Sequence, residues 1–362
     1  MGTMSIQRAD ASRADLKSML PVEMEAFLAE FGEPSYRARQ IFDWVHNKGV
    51  AEIDEMTNLS KSLRTALGEV AFVTRLRLVA QRESQTGQAV KFLFEVPTGE
   101  RVESVLIVDG GRRTVCISSQ VGCPLDCKFC ATGRMGLVRN LTPGDILDQL
   151  IQVSAYAQER GERVTNVVMM GMGEPLLNYD AVVRALYLMR QTEGVGLGGR
   201  RITVSTAGYV PGIRKLAQEE LNVGLAISLN ATTDAVREEL MPINRRFKID
   251  DLLEVAREFH QLRGYGVTFE YVLMDGVTDS HEDAVRLAQL TADVPCKINL
   301  IPYNELGSES DFRRPPQARL KAFYRALEGA GAEFTVRESR GRDIDAACGQ
   351  LFDNQEAAVA AH

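Results

Sequence analysis

Seven short apolar runs alternate with amphipathic segments of helical period, and this alternation limits the fold more than any other feature of the chain. The runs are 114–119, 165–171, 201–206, 223–229, 267–274, 296–302 and 333–338, and helical patterns fill 143–158, 179–192, 211–219, 250–262, 281–291 and 316–329. Strands separated by helices of that length pair in parallel as βαβ units. Curled round, such units form a (β/α) barrel, complete or partial, whose active site lies at the C-terminal ends of the strands. The expected fold class is therefore α/β: such a barrel with a small N-terminal helical domain and a β-hairpin extension.

The upstream chain reads differently. Met24, Phe27, Leu28 and Phe31 recur at helical spacing, as do Ile41, Trp44 and Val45, so Pro21 to about Leu67 is expected to be helical. Its aromatic residues fit a small core better than stacking platforms for bases. Two strand-period runs, 89–96 and 101–108, flank Pro-Thr-Gly-Glu and read as a hairpin. The expected units are residues 1–85 (helical domain with linker), 86–111 (hairpin extension), 112–345 (barrel) and 346–362 (C-terminal segment).

Composition narrows the setting. No apolar run approaches the length of a membrane span, and no secretory signal opens the chain. Six unevenly spaced cysteines in 362 residues do not form a secreted disulfide framework, so a reducing cytoplasm is expected, with no membrane partner. The net charge of −7 argues against a general nucleic-acid coat. Arginine clusters nevertheless recur at Arg112–Arg113, Arg200–Arg201, Arg245–Arg246 with Lys248, Arg313–Arg314, and Arg337, Arg340 and Arg342. Each could be solvated surface; several on one face would hold phosphates.

Cys123, Cys127 and Cys130 stand as Cys-x-x-x-Cys-x-x-Cys with no fourth cysteine nearby. Structural metal sites close their coordination sphere, whereas catalytic ones leave a position open. A four-iron cluster held by three thiolates would leave one iron free to bind a small molecule. A redox pair, half a zinc site or buried thiols are the alternatives. His46, His260, His281 and His362 all lie outside zinc-finger spacing of the trio, and Phe129 would supply an apolar wall to a cluster.

Other polar residues fall at strand ends. The second strand runs into Gly-Met-Gly-Glu-Pro, where Gly173 allows close backbone approach and Glu174 could accept from an ammonium group. The third ends at Ser205, the fourth at Ser228-Leu229-Asn230, and the sixth at Asn304. Any one of these could cap a helix; their shared placement suggests a site.

The cysteine triplet, the Gly-Met-Gly-Glu-Pro turn and these strand-end residues resemble the radical S-adenosylmethionine (SAM) superfamily. The resemblance implies a partial (β/α)6-type barrel core and a [4Fe–4S] cluster on Cys123, Cys127 and Cys130, with SAM chelating the open iron. Gly173 and Glu174 would hold the methionine amino group, and Ser205, Ser228, Leu229, Asn230 and Asn304 would be further SAM contacts. Over nearly the whole chain, "SSQVGCPLDCKFCATG", "RNLTPGDILDQ", "VVMMGMGEPLLNYD", "ITVSTAG", "LAISLNA", "MPIN" and "RDIDAACGQL" resemble the bacterial RNA adenine-C2 methyltransferases. Asn230 departs from that pattern, since many members carry histidine there; asparagine can still hydrogen-bond a ribose hydroxyl.

That resemblance gives roles to two distant cysteines that otherwise read as small buried hydrophobes. It implies that Cys348 takes a methyl group from one SAM and that a second SAM yields a 5′-deoxyadenosyl radical, two SAM per turnover. Hydrogen abstraction from methyl-Cys348 would then let the carbon add to adenine C2. Glu103 matches the proton acceptor, a task also given to Cys116. Loss of an electron and the C2 proton prepares release, which Cys116 would complete by attacking the Cys348 sulfur. The implied substrates are adenosine 2503 of 23S rRNA and adenosine 37 of tRNA, with C8 of the rRNA adenine as the alternative target. An external flavodoxin-like electron donor, a monomeric state and an RNA-binding N-terminal domain are also implied. The target base would be extruded to reach the barrel mouth, with Arg134, Arg139 and Arg342 as candidates for phosphate contact.

Overall fold

The computed structural model describes residues 13–306 and 310–351. Three helices, Pro21–Ala29, Tyr36–His46 and Lys61–Val70, build the N-terminal module. Met24, Leu28, Ile41, Phe42, Val45, Leu63 and Leu67 supply its core. A Lys17–Asp148 ion pair with no solvent exposure on either side chain fixes the module to the barrel helix Pro143–Gln158. Asp148 also accepts from Leu76 N at 2.7 Å, so its second oxygen is satisfied.

Ten strands make one sheet: β1 (Arg77–Glu83), β2 (Ala89–Glu95), β3 (Arg101–Asp109), β4 (Arg112–Cys116), β5 (Asn166–Met169), β6 (Ile202–Thr206), β7 (Gly224–Ser228), β8 (Val267–Leu273), β9 (Cys296–Pro302) and β10 (Phe334–Val336). They lie side by side in chain order. From β4 onward neighbours pair in parallel, and β1 to β4 pair antiparallel. Among the described residues β1 and β10 do not pair with each other, so the barrel is open, as the partial-barrel expectation requires.

β1 lies where the sequence suggested linker. Its pattern is exposed at both ends and never fully buried, as an edge strand's is, so it carries no apolar alternation to read.

The crossover helices start on strong signals. Thr142 accepts from Asp145 N in a capping box, with Pro143 in the first turn, and Ser280 caps His281–Thr291 in the same way. A helix the periodicity did not reveal, Asp234–Leu240, follows β7 and presents Arg237 to the interior. No described helix is long and apolar enough to cross a membrane.

Parallel strands sort the arginine clusters by physics alone. Arg200–Arg201 precede β6 and Arg112–Arg113 open β4, so both sit at the strand N-termini, away from the mouth. Arg337, Arg340 and Arg342 follow β10 and lie on the mouth side.

Candidate active site

The cysteine loop is framed by a two-stranded ribbon, Gln120–Gly122 against Leu137–Asn140, directly beyond the C-terminal end of β4. Gly122 has φ +73° and a Cβ there would stand 1.8 Å from Gly136 O, so only glycine lets the ribbon close beside Cys123. Cys123 N donates to Gly136 O at 3.0 Å, and Lys128 N to Leu240 O at 2.9 Å, pinning the loop at both ends. The Gly-Met-Gly-Glu-Pro turn packs on the same ribbon. Gly173, at φ +101°, leaves a Cβ no room against Gln120, whose Oε1 accepts from Glu174 N at 2.8 Å.

One cavity gathers the expected residues. Cys123, Cys127, Cys130, Gly173, Glu174, Ser205, Ser228, Asn230, Asn304 and Cys348 all line it. Leu229 does not. Its side chain has no exposure, its N–H goes to Glu270 O and its carbonyl to Arg237 Nε, so it keeps no group for a ligand. Asn230 sits at φ 57°, a conformation asparagine tolerates. Its Oδ1 accepts from Val272 N at 3.0 Å and its Nδ2 reaches Met241 Sδ at 3.4 Å, so its amide braces the rim of β8.

Burial dominates the electrostatics. It pushes Cys123 up to about 12 and holds Cys127 and Cys130 above the ordinary thiol range. A bound metal reverses that balance by deprotonating a coordinating thiol outright. Burial also raises Glu174 to about 7, against the pull of the Ala207 and Leu176 amides on its carboxylate. Three buried thiols and Phe129 line one wall of this cavity, the soft donor set and apolar surround that a four-iron cluster would take. Beside them, Asn304 Oδ1 is buried with no partner among the described residues and so keeps an acceptor for a ligand donor.

Cys348 lies on a segment tied to the cysteine loop and to the end of β9. Ala131 N donates to Gly349 O at 2.8 Å, Thr132 Oγ1 to Leu351 O at 2.6 Å, and Asn304 Nδ2 to Cys348 O at 3.1 Å. Cys116, at the end of β4, lines a smaller adjoining cavity that Cys348 also lines. Burial pushes the Cys116 thiol up to about 12, with the Cys348 charge adding to it and Arg337 opposing.

Arg337 lines both cavities, a position the sequence reading left among the surface arginines. Its place directly after a strand, like that of the other strand-end polar residues, was the available signal. Glu270, another lining residue the reading missed, is a lone carboxylate within the apolar run Val267–Leu273. Glu103 lines neither cavity; it is buried on β3 and pairs with Lys91 at 2.9 Å. Arg139 is held by Glu100 and Asp145 and so is removed from the candidates for phosphate contact, whereas Arg134 and Arg342 are exposed.

Known proteins align with this arrangement. Residues 117–288 match the radical SAM superfamily, and residues 14–73 match the ribosomal RNA large subunit methyltransferase N-terminal domain. The dual-specificity RNA methyltransferase RlmN of Anaeromyxobacter sp. (strain Fw109-5) is 47% identical over 94% of this chain and 90% of its own length. That of Pelobacter propionicus is 45% identical over 96% of this chain and 98% of its own. A crystal structure of a radical SAM methyltransferase from Sphaerobacter thermophilus superposes with a TM-score of 0.90 at 45% identity, covering 93% of this chain and 99% of that one. The chain belongs to the RlmN family of dual-specificity RNA methyltransferases, within the radical SAM superfamily.

Proposed function

We infer that this protein is a radical SAM RNA methyltransferase that methylates C2 of an adenine in 23S rRNA and in tRNA, with Cys348 as methyl carrier. The observation that carries this reading is the sharing of Cys348 between two cavities: the cysteine triplet lines one and Cys116 lines the other. When bound, the [4Fe–4S] cluster and SAM supply the methyl group and, after one-electron reduction, a hydrogen-abstracting radical.

The residues of the chain divide the remaining work. Cys123, Cys127 and Cys130 would hold the cluster. Glu174, as a carboxylate, would take the SAM ammonium, Gly173 would let backbone approach it, and Asn304 Oδ1 would accept from a SAM donor. Ser205 and Ser228 line the same wall. Adenine C2 is electron-poor and has no lone pair, so it cannot displace a methyl group from a sulfonium. A thiolate can, and Cys348 stands between the cofactor cavity and Cys116.

Once carbon has bonded to C2, the RNA is joined to the Cys348 sulfur. Radical addition leaves one unpaired electron on the base, so one electron would return to the cluster while Glu103 would accept the C2 proton, restoring the aromatic ring. Cys116 as thiolate then attacks the Cys348 sulfur: the S–S bond forms, the S–C bond breaks, and its electron pair leaves with the RNA carbon, which is protonated to methyl. An external donor must return two electrons to reopen the disulfide. Arg337, facing both sulfurs, favours the thiolate form of Cys116 despite its burial.

Anaerobic turnover of the reduced, reconstituted enzyme with rRNA and tRNA fragments, followed by nucleoside mass spectrometry, tests the reading. It should yield 2-methyladenosine from both; exclusive 8-methyladenosine would sink it.

A further inference from the structure

The antiparallel extension carries a lysine placed to serve the site. On facing strands, directly opposed residues project to the same face, as do residues two apart on one strand. Lys91 on β2 is opposite Val105 on β3, and Val105 is opposite Cys116 on β4. Glu103, two residues from Val105, therefore shares the face of Lys91 and Cys116. The Lys91 ammonium lies 2.9 Å from Glu103 Oε1, with side-chain exposures of only 13% and 5%. The same ammonium donates to Asp345 O at 3.2 Å.

Asp345 has a positive φ of 54°, which is strained for a residue with a side chain, and it lies three positions before Cys348. One cation thus holds the carboxylate proposed as proton acceptor and the turn that presents the methyl carrier. A lysine serving only the stability of the sheet would not need both contacts. Other groups bind the same segment to the extension: Gln85 N donates to Asp343 Oδ2 at 2.8 Å, and Arg340 reaches Gln88 Oε1 at 2.8 Å and Asp109 at 3.5 Å.

We propose that Lys91 is a positioning residue for the methyl transfer, fixing Glu103 and the Cys348 turn in one register so that the proton acceptor meets the RNA-bound intermediate. This rests on Glu103 as the acceptor. Loss of Lys91 leaves methylation of Cys348 intact, because Gln85, Arg340 and the Ala131–Gly349 hydrogen bond still hold the turn and that step does not use Glu103. It stalls the cycle at the covalent RNA adduct before C2 loses its hydrogen.

The test uses reconstituted holoenzyme and an RNA fragment carrying adenosine deuterated at C2. K91M is expected to bind wild-type iron and to form S-methyl-Cys348. It should accumulate an adduct that retains deuterium, and release product more slowly by on the order of a hundredfold. K91R should recover most of the rate, and E103Q should stall at the same deuterated adduct. Wild-type product release by K91M, an adduct that has lost deuterium, or failure to methylate Cys348 would each overturn the proposal. If E103Q itself released product normally, the assignment of Glu103 would fail instead.

Discussion

The backbone N–H of Ala131, the residue after Cys130, donates to the carbonyl of Gly349, the residue after Cys348, at 2.8 Å. The cysteine loop and the Cys348 turn are thus one hydrogen-bonded unit, although they come from opposite ends of the barrel sequence. Order in one is expected to depend on order in the other.

Removing the cluster by chelation should therefore loosen residues 346–351 as well as 123–134. Hydrogen–deuterium exchange of holo and apo protein would report this as faster exchange in both segments. Unchanged protection at 346–351 would show that the contact carries no coupling.

Cys116→Ala should trap the enzyme on its RNA, because no other thiol lining the small cavity could attack the Cys348 sulfur. Denaturing gels should show a protein–RNA band, whereas Cys348→Ala should show neither band nor product. Free methylated RNA from Cys116→Ala would remove the resolving role.

Glu174 supplies a pH dependence. Burial raises its carboxyl to about 7 from an ordinary 4.5. Without ligand, the raised value contributes stability that is complete below 4.5 and lost as pH rises through 7. Binding of the SAM ammonium runs the other way, since it needs the ionised carboxylate. Affinity should weaken by up to about tenfold per pH unit below 7 and level off above it. Equilibrium dialysis of labelled SAM would check this, and Glu174→Gln should bind weakly with no such slope.

His46 should add to the acid sensitivity of the fold. It stacks on Phe42 at 4.0 Å, and burial first, then the Lys17 charge, lowers its value from 6.5 to about 3. The folded state keeps the ring neutral while the unfolded chain protonates it. The contribution is thus full above 6.5 and falls as pH drops toward 3, by up to about 1.4 kcal/mol per unit. Urea midpoints between pH 7 and 5 should show the decline, and His46→Phe should flatten it. An equal slope in the variant would place the acid sensitivity elsewhere.

Much of this was legible before any coordinates. Period alone gave the seven parallel strands and six crossover helices, because the central strands β7 to β9 are largely buried and each helix buries one side. β9 and three helices, Pro143–Gln158, His281–Thr291 and the start of Tyr179–Arg190, fall where the pattern put them. The cysteine triplet was readable because its ligands are local: spacing within one loop fixes their separation. β1 was not, since an edge strand buries too little to impose alternation, and neither was the short helix Asp234–Leu240.

The rest belongs to the tertiary structure. Nothing in the chain between Cys116 and Cys348 says that the two share a cavity; that follows from an open sheet whose tenth strand delivers the C-terminal segment back over the mouth. Nor could sequence separate Arg337, which shares a cavity with Cys116 and Cys348, from Arg139, bound up with Glu100 and Asp145. Local order is written by neighbours in the chain, and it set the strands, the helices and the metal loop. Partners for a buried charge or thiol come from distant segments, so only the packed fold decided which side chains would face the chemistry.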